Sequence, residues 1–122
     1  MVLVKKINWI SKNAMEAEVI LNDGVFDIIC FSQPFSFKEG DTIKSYIYTY
    51  NTQKIYFSNL NEEYVKKNGS LFEYELCGVI KDKLSNIIKI GNFLIELDIP
   101  LPNDLYNGDY VIIFCERIDI WC

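Results

Sequence analysis

Alternating tyrosines give this sequence its clearest binding chemistry. Tyr46, Tyr48 and Tyr50 recur at every second position. Lys44 precedes them in the same phase, and Tyr56 follows a few residues later. Because residues two apart lie on one face of a strand, the pattern predicts an aromatic face with a cation beside it. Such a face stacks single-stranded bases or anchors a protein interface. The favoured reading, however, is that the tyrosines fill the core or shelter a partly exposed sheet, and an interaction surface is the alternative.

Phe35 and Phe37 form a second aromatic candidate, because they flank Ser36 just after Pro34 in a predicted loop. A loop with two large apolar side chains either folds them over the end of a barrel or presents them to a partner. The first reading is favoured and the second stays open, so both residues remain candidate binding residues. Trp121 is expected to close the core.

Paired carboxylates supply the acid–base chemistry that the sequence offers. They occur in three places: Glu16/Glu18, Glu73/Glu75 and Glu96/Asp98. This spacing can place two acids near one substrate, as glycosidases require, but the solvated face of a half-buried strand is the favoured explanation. The chain has no histidine, which excludes Ser-His-Asp and Cys-His catalysis. It also has neither the dinucleotide fingerprint nor a Walker motif, the two Gly-rich loops that bind phosphates. We therefore assign no catalytic residue, cofactor or metal ligand.

The cysteines are widely spaced and form no CxxC pair. Cys30, Cys77 and Cys115 lie in apolar runs, where free cysteine behaves as a small hydrophobe, so reduced core residues are favoured over disulfides. Cys122 is the remaining candidate for thiol chemistry, although nothing near it in the sequence is suited to lower its pKa.

The charge balance bears on the class of partner. The formal net charge is −5, and no run of basic residues exceeds two. Affinity for nucleic acid rests largely on Lys and Arg contacts to phosphates, so the balance disfavours that class without excluding it. The chain begins without a signal-peptide pattern, and no apolar stretch approaches the roughly 20 residues of a membrane helix. We expect a cytoplasmic protein that does not bind membranes.

Strand signals dominate the elements that carry these residues. Glu16 to Leu21 alternates, Asn22-Asp23-Gly24 has the chemistry of a tight turn, and 25–32 is predicted to be the return strand. Ile43 to Tyr50 alternates again, with a hairpin partner predicted at 53–58. Further strands are predicted at 72–77, at 87–98 with a break at Gly91, and at 110–121 with a bulge near Glu116.

One segment breaks this rhythm and predicts a short helix near residues 61–67. Asn61 can cap it, and Gly69 can end it. Acidic residues follow the cap and lysines precede the end, as the helix dipole favours.

Two parts of the chain resemble each other at a separation of 67 or 68 residues. Gly24-Val-Phe-Asp-Ile resembles Gly91-Asn-Phe-Leu-Ile, and the Gly-Asp pair at 40–41 recurs at 108–109. This pattern allows an internal repeat of 12–58 and 72–121, and repeated turn chemistry produces it equally well without duplication. Six or seven mainly antiparallel strands with one short helix predict a single all-β barrel domain over residues 1–122.

Three strands, a short helix and further strands resemble an OB-fold over roughly residues 12 to 121. The resemblance is one of element order, with the helix between the third and fourth strands, and no sequence motif carries it. It implies a small barrel, and it adds a single-strand nucleic-acid binder to the candidate functions.

We expect a non-enzymatic protein-interaction module whose partner is a basic protein, recognised through electrostatic complementarity. A small acidic chain with an aromatic sheet face is similar in general character to immunity proteins that neutralise toxins. The alternatives are single-stranded nucleic-acid binding and, least favoured, a small acid- or thiol-dependent enzyme. If the barrel is incomplete, a free edge strand can also pair two copies into a homodimer.

Overall fold

The computed structural model describes residues 1–69 and 73–121 as strands joined by turns and short loops. Within these ranges there is no helix. The strands are β1 (Val2–Ser11), β2 (Glu16–Asn22), β3 (Asp27–Ser32), β4 (Thr42–Ile43), β5 (Ile47–Phe57), β6 (Tyr64–Lys67), β7 (Tyr74–Asp82), β8 (Ile87–Ile90), β9 (Phe93–Glu96) and β10 (Tyr110–Ile120).

Five of these strands close into a barrel. β5, β9, β8 and β7 pair in that order, and β10 pairs with both β5 and β7. The β5–β9 pair is parallel and the other pairs of the ring are antiparallel. Closure gives every strand of the ring a neighbour on each side, which removes exposed sheet edges. The predicted all-β barrel is confirmed.

The remaining N-terminal strands extend the sheet from β10. β3 lies parallel to β10, and β1, β2 and β3 form an antiparallel meander, with β4 on the outer side of β1. Only residues 44–46 separate β4 from β5. β4, β1, β2, β3, β10 and β5 are neighbours in that order, and this series shares β5 and β10 with the barrel. A chain connection, and no strand pairing in the described residues, joins its two ends, β4 and β5.

The helix predicted near residues 61–67 is wrong, because this segment contains strand β6. β8 pairs with the part of β7 from Val79 onward, which leaves residues 74–77 without a neighbour on that side. β6 fills the gap and pairs with those residues. The caps and charges at 61–69 are local signals, and the backbone hydrogen bonds required beside β7 override them. The resemblance to an OB-fold depended on a helix at this point in the element order, so the structure does not support it.

The hairpin predicted between 43–50 and 53–58 is also wrong, because β5 is one strand of 11 residues. Asn51 has a positive φ of 53°, and it re-aims the strand without reversing it. The register with β10 shifts between Phe114 and Cys115, close to the irregularity predicted at Glu116. Along β10 the buried positions change phase between Cys115 and Ile118. The antiparallel pair of β5 and β10, called the β5–β10 ribbon below, therefore keeps an apolar inner side along its whole length.

One core serves both groups of strands, and its buried residues come from β1–β3 as well as from the barrel. Tyr74 crosses this core from β7. Its hydroxyl oxygen accepts the backbone N–H of Ile29, in β3, at 2.8 Å. Burial raises the pKa of Tyr74 to about 12, so the phenol stays protonated at neutral pH. The two groups of strands are thus joined by a polar contact as well as by apolar packing.

The turn after β2 packs against the turn after β8. Asp23 accepts the N–H groups of Val25 and Phe26 in its own turn and that of Asn92, at 2.8 Å, in the other. Burial acts to raise the pKa of Asp23, but these backbone hydrogen bonds outweigh it and lower the pKa. Gly91 has a positive φ of 56°, and a Cβ there would overlap an Asp23 carboxylate oxygen.

Two further turns, matched in the sequence, dock in equivalent ways. The turn at 40–41 exchanges backbone hydrogen bonds of 2.7 and 2.8 Å with Val4 in β1. The turn at 108–109 exchanges bonds of 2.9 and 2.8 Å with Ile80 in β7. An internal repeat stays a prediction, and these matching closures support it.

Gly91→Ala is expected to lower the free energy of unfolding more than Gly108→Ala. A Cβ at Gly108 meets nothing within 4 Å, so alanine there costs only the backbone strain of a φ of 92°, about 1–2 kcal/mol. Alanine tolerates the φ of 56° at Gly91 more readily, so a larger loss there reports the contact with Asp23. Urea unfolding of both variants measures the difference. Equal losses in the two variants would show that packing of the turn after β8 against Asp23, in the turn after β2, adds little to stability.

Candidate binding surface

The tyrosines of β5 lie on the outside of the barrel. Ile47 and Thr49 are buried, whereas Tyr48, which lies between them in the sequence, is half-buried and Tyr50 is exposed. Tyr46 precedes the strand and is exposed. The alternation seen in the sequence therefore corresponds to the two faces of β5, and the side that carries the tyrosines is surface.

β10 supplies the other half of this surface. Tyr48 lies opposite Asp119, and Tyr50 lies opposite Arg117. Directly opposed side chains on one face of an antiparallel pair contact each other. We call the outer residues of the two strands the aromatic face: Tyr48, Tyr50, Tyr56, Phe114, Arg117, Asp119 and the adjoining Trp121.

At one end of the aromatic face the side chains hold one another in place. The rings of Tyr48 and Trp121 stack, with centroids 3.9 Å apart and planes at 15°. The Arg117 guanidinium lies 4.3 Å from the centroid of Tyr50 and 4.7 Å from that of Phe31. It also donates to both carboxylate oxygens of Asp119, at 2.6 and 3.1 Å. This hydrogen bonding to Asp119 is the main cause of the raised pKa of Arg117.

The other end of the aromatic face is more open. Tyr56 meets Phe114 edge to face, with ring centroids 6.1 Å apart. The Lys54 ammonium lies 6.0 Å from the Phe114 centroid, at the outer limit of a cation–π contact. Tyr56 and Phe57 are each at least half exposed. Large aromatic side chains thus continue along the ribbon in both directions from its centre.

A cavity of about 200 Å³ opens beside Tyr48. Its walls include the aromatic side chains of Tyr48, Tyr50 and Trp121 and three carboxylates, listed here: Glu96, Asp98 and Asp119. Glu96 lies beside Tyr48 in the parallel β5–β9 pair, and Asp119 lies on the other side of Tyr48 in β10. Tyr48 is therefore flanked by an acidic side chain on each neighbouring strand.

Asp98 is fixed by hydrogen bonds at the margin of this cavity. Its carboxylate accepts the Thr49 hydroxyl at 3.0 Å and the Thr52 N–H at 3.2 Å. Its own N–H donates to the Thr49 hydroxyl oxygen at 3.1 Å. Partial burial acts to raise the pKa of Asp98, but the hydrogen bonds from Thr52 and Thr49 lower it overall. A general acid requires the opposite shift, so the Glu96/Asp98 pair does not resemble a glycosidase pair in this respect.

The structure separates the other predicted site residues from this cavity. Phe35 is fully buried, and Phe37 packs against the core with its ring centroid 5.8 Å from that of Phe35, so both rings pack inward and do not project from the loop. Lys44 lines a different cavity beside Met1, and Tyr46 lines a third beside Leu94. Tyr56 belongs to the open end of the aromatic face. Tyr48 and Tyr50 are the predicted residues that meet at one site.

Sequence reasoning missed several residues of the site. Trp121 was expected in the core, but it is 64% exposed and stacks on Tyr48. Arg117 follows Glu116 in β10, where the predicted change of face was the available signal. Phe31 was not named as a site residue, and Glu96 was named only as half of a carboxylate pair, not as a neighbour of Tyr48. They come from β3 and β9, whose parallel pairings with β10 and β5 leave no trace in local alternation.

The remaining thiol and carboxylate candidates lie away from the cavity. Cys30, Cys77 and Cys115 are buried and free, and burial raises the pKa of each. Glu16 and Glu18 are half-buried on the outer side of β2, as the favoured explanation predicts. Glu75 accepts the Tyr64 hydroxyl at 2.5 Å. Phe72 and Cys122 lie outside the described residues.

Across residues 1–69 and 73–121, no three His, Cys, Asp or Glu side chains come together as a metal site would need. The same residues form no helix with the length and apolar character needed to cross a membrane. Comparisons with protein-family models, curated proteins and solved structures found no match.

Asp98→Asn is expected to lower the free energy of unfolding at neutral pH by about 1 kcal/mol or less, because solvent reaches the carboxylate and weakens its hydrogen bonds. The pKa of Asp98 in the folded chain lies below its ordinary value of 3.8. The stabilisation is therefore complete above that value and disappears as the pH falls through the folded-state pKa. Urea unfolding at pH 7 and at pH 3 should show the deficit of the variant shrinking in acid.

Glu96→Gln is the matched control for that measurement, since Glu96 lines the same cavity and its side chain makes no ion pair or hydrogen bond within the described ranges. Its unfolding free energy should stay within about 0.5 kcal/mol of the parent at both pH values. An Asp98→Asn deficit that persists unchanged at pH 3 would refute the ionised role assigned to Asp98.

Proposed function

We propose that this chain is a non-enzymatic, cytoplasmic interaction module that binds a basic protein through the aromatic face. The observation that carries the proposal is the exposure of clustered, mutually supported aromatic rings on one side of the β5–β10 ribbon. Trp121 is 64% exposed, Tyr56 50% and Tyr50 46%. Contiguous exposed apolar patches of this kind mark binding surfaces on monomeric proteins.

The residue types favour a protein partner. Tyr, Trp and Arg are the side chains that most often dominate the binding energy of protein interfaces. Here Trp121 is stacked on Tyr48, and Arg117 is held between aromatic rings and Asp119. Side chains that are already ordered lose less conformational entropy on binding, which favours affinity.

The charges favour a basic partner. The chain carries a formal net charge of −5, and Glu96, Asp98 and Glu116 lie in or beside the aromatic face. Arg117 is already paired with Asp119, so its charge is largely neutralised. This potential attracts cationic side chains and repels phosphates, which sets a protein with a basic surface above single-stranded nucleic acid.

The sheet ends offer little to a second copy of this chain. β4 has two residues, and β6 exposes Lys66 and Lys67, the side chain that most often blocks edge pairing. We expect the purified protein to be monomeric by light scattering at micromolar concentration. A stable dimer of the parent protein would contradict this expectation, and edge pairing through β6 would be implicated if neutralising both lysines strengthened the dimer.

Tyr48→Ala and Trp121→Ala should each weaken partner binding by about 10-fold or more, as expected for hot-spot aromatics. The partner is first recovered on N-terminally tagged protein from native lysate, with and without nuclease, and identified by mass spectrometry. Its affinity for the purified variants is then measured by calorimetry at low and at high salt. High salt should weaken binding, because charge complementarity contributes to it.

Tyr106→Ala is the matched control, since Tyr106 is 67% exposed and precedes β10 on a loop outside the aromatic face. It should bind the partner as the parent does. If all three variants bind alike, the aromatic face is not the interface. Recovery that is lost on nuclease treatment would replace the protein partner with a nucleic acid.

A further inference from the structure

The cavity beside Tyr48 combines aromatic walls with carboxylates. Its aromatic side is formed by Tyr48, Tyr50 and Trp121. Glu96 faces it from β9 and makes no salt bridge or hydrogen bond to any side chain in residues 1–69 and 73–121. Aromatic rings and carboxylates arranged together are the chemistry with which proteins recognise cationic groups.

At neighbouring positions of the β5–β10 ribbon, aromatic rings and a carboxylate already hold a guanidinium group of the chain itself. There the Arg117 guanidinium lies against the rings of Phe31 and Tyr50 and donates to both oxygens of Asp119. An aromatic pair with a carboxylate beside it thus holds a guanidinium. Next to it, Tyr48 and Trp121 stack on each other, so a cation here can lie only against an outer face of this stacked pair. Glu96 lies beside Tyr48 in the β5–β9 pair, and no Lys or Arg lines this cavity.

The charges around the cavity leave it negative. Asp119 is neutralised by Arg117, whereas Asp98 is hydrogen-bonded to neutral donors and stays ionised. Glu96 adds a second uncompensated carboxylate. Partly enclosed charges are screened less than fully exposed ones, so a cation in this cavity is attracted by the carboxylates of both Asp98 and Glu96.

We propose that the cavity lined by Tyr48, Trp121 and Glu96 receives the guanidinium group of an arginine on the surface of the partner. This inference rests on the proposed function, because it names the chemical group that the aromatic face selects. Arginine is favoured over lysine because its planar, weakly hydrated guanidinium stacks on aromatic rings while its N–H groups bind a carboxylate, as Arg117 does.

The test uses three capped tripeptides, acetyl-Gly-X-Gly-amide, in which X is arginine, lysine or citrulline. Citrulline keeps the shape of arginine without its charge. Binding is followed by NMR at the indole N–H of Trp121, with ionic strength held constant, and Trp9→Phe assigns the two indole signals. The arginine peptide should give a saturable shift and bind at least about fivefold more tightly than the citrulline peptide.

Glu96→Gln should weaken binding of the arginine peptide by about fivefold, whereas Asp104→Asn should change its affinity by less than about twofold. Both variants remove one negative charge, but Asp104 is exposed in the segment before β10 and does not line the cavity. Equal losses in the two variants would show that net charge rather than the cavity binds the cation. Equal binding of citrulline would overturn the cation site, and equal or tighter binding of lysine would overturn the choice of arginine.

Failure here is distinguishable from failure of the proposed function. If partner binding depends on Tyr48 and Trp121 but the arginine peptide gives no saturable shift, the guanidinium site is refuted and the interaction module stands. If the peptide binds as expected but partner binding ignores both aromatic substitutions, the guanidinium site stands and the aromatic face is not the interface.

Discussion

The antiparallel pairing of β5 with β10 is the constraint on which the remaining structure depends. β10 also pairs with β3 and β7, and β5 also pairs with β9, so both groups of strands are attached to this ribbon. Its inner side chains, among them Ile113 and Ile118, lie in the shared core. Its outer side chains form the aromatic face. A one-residue slip would exchange the two sets, so the same register fixes both core and surface.

Alternation along the chain was sufficient to predict much of the fold. It gave the faces of β2, β5 and β10, and the turn residues marked where strands reverse. It failed at 61–67, where helix caps were outweighed by unfilled backbone groups on β7. It also failed at 53–58, where Asn51 continues a strand that resembled a hairpin. Both errors arise because pairing with distant strands decides what a local segment does.

The same limit applies to the binding surface. Tyr48 and Tyr50 are neighbours on one strand, so their spacing predicts that they share a face. Phe31 and Glu96 reach them only because β3 and β9 run parallel to the ribbon, a relation set by the whole sheet. The shared face of Tyr48 and Tyr50 was predictable, whereas their contacts with Trp121, Arg117 and Glu96 were not.

The division of labour between the two sides of the ribbon has an evolutionary consequence. Inner positions such as Ile113 and Ile118 are restrained by close packing in the shared core. Outer positions such as Tyr48, Tyr50 and Trp121 contact mainly one another and solvent, so their replacement costs the fold much less. Substitutions can therefore change the chemistry of this one face while the barrel beneath it stays the same.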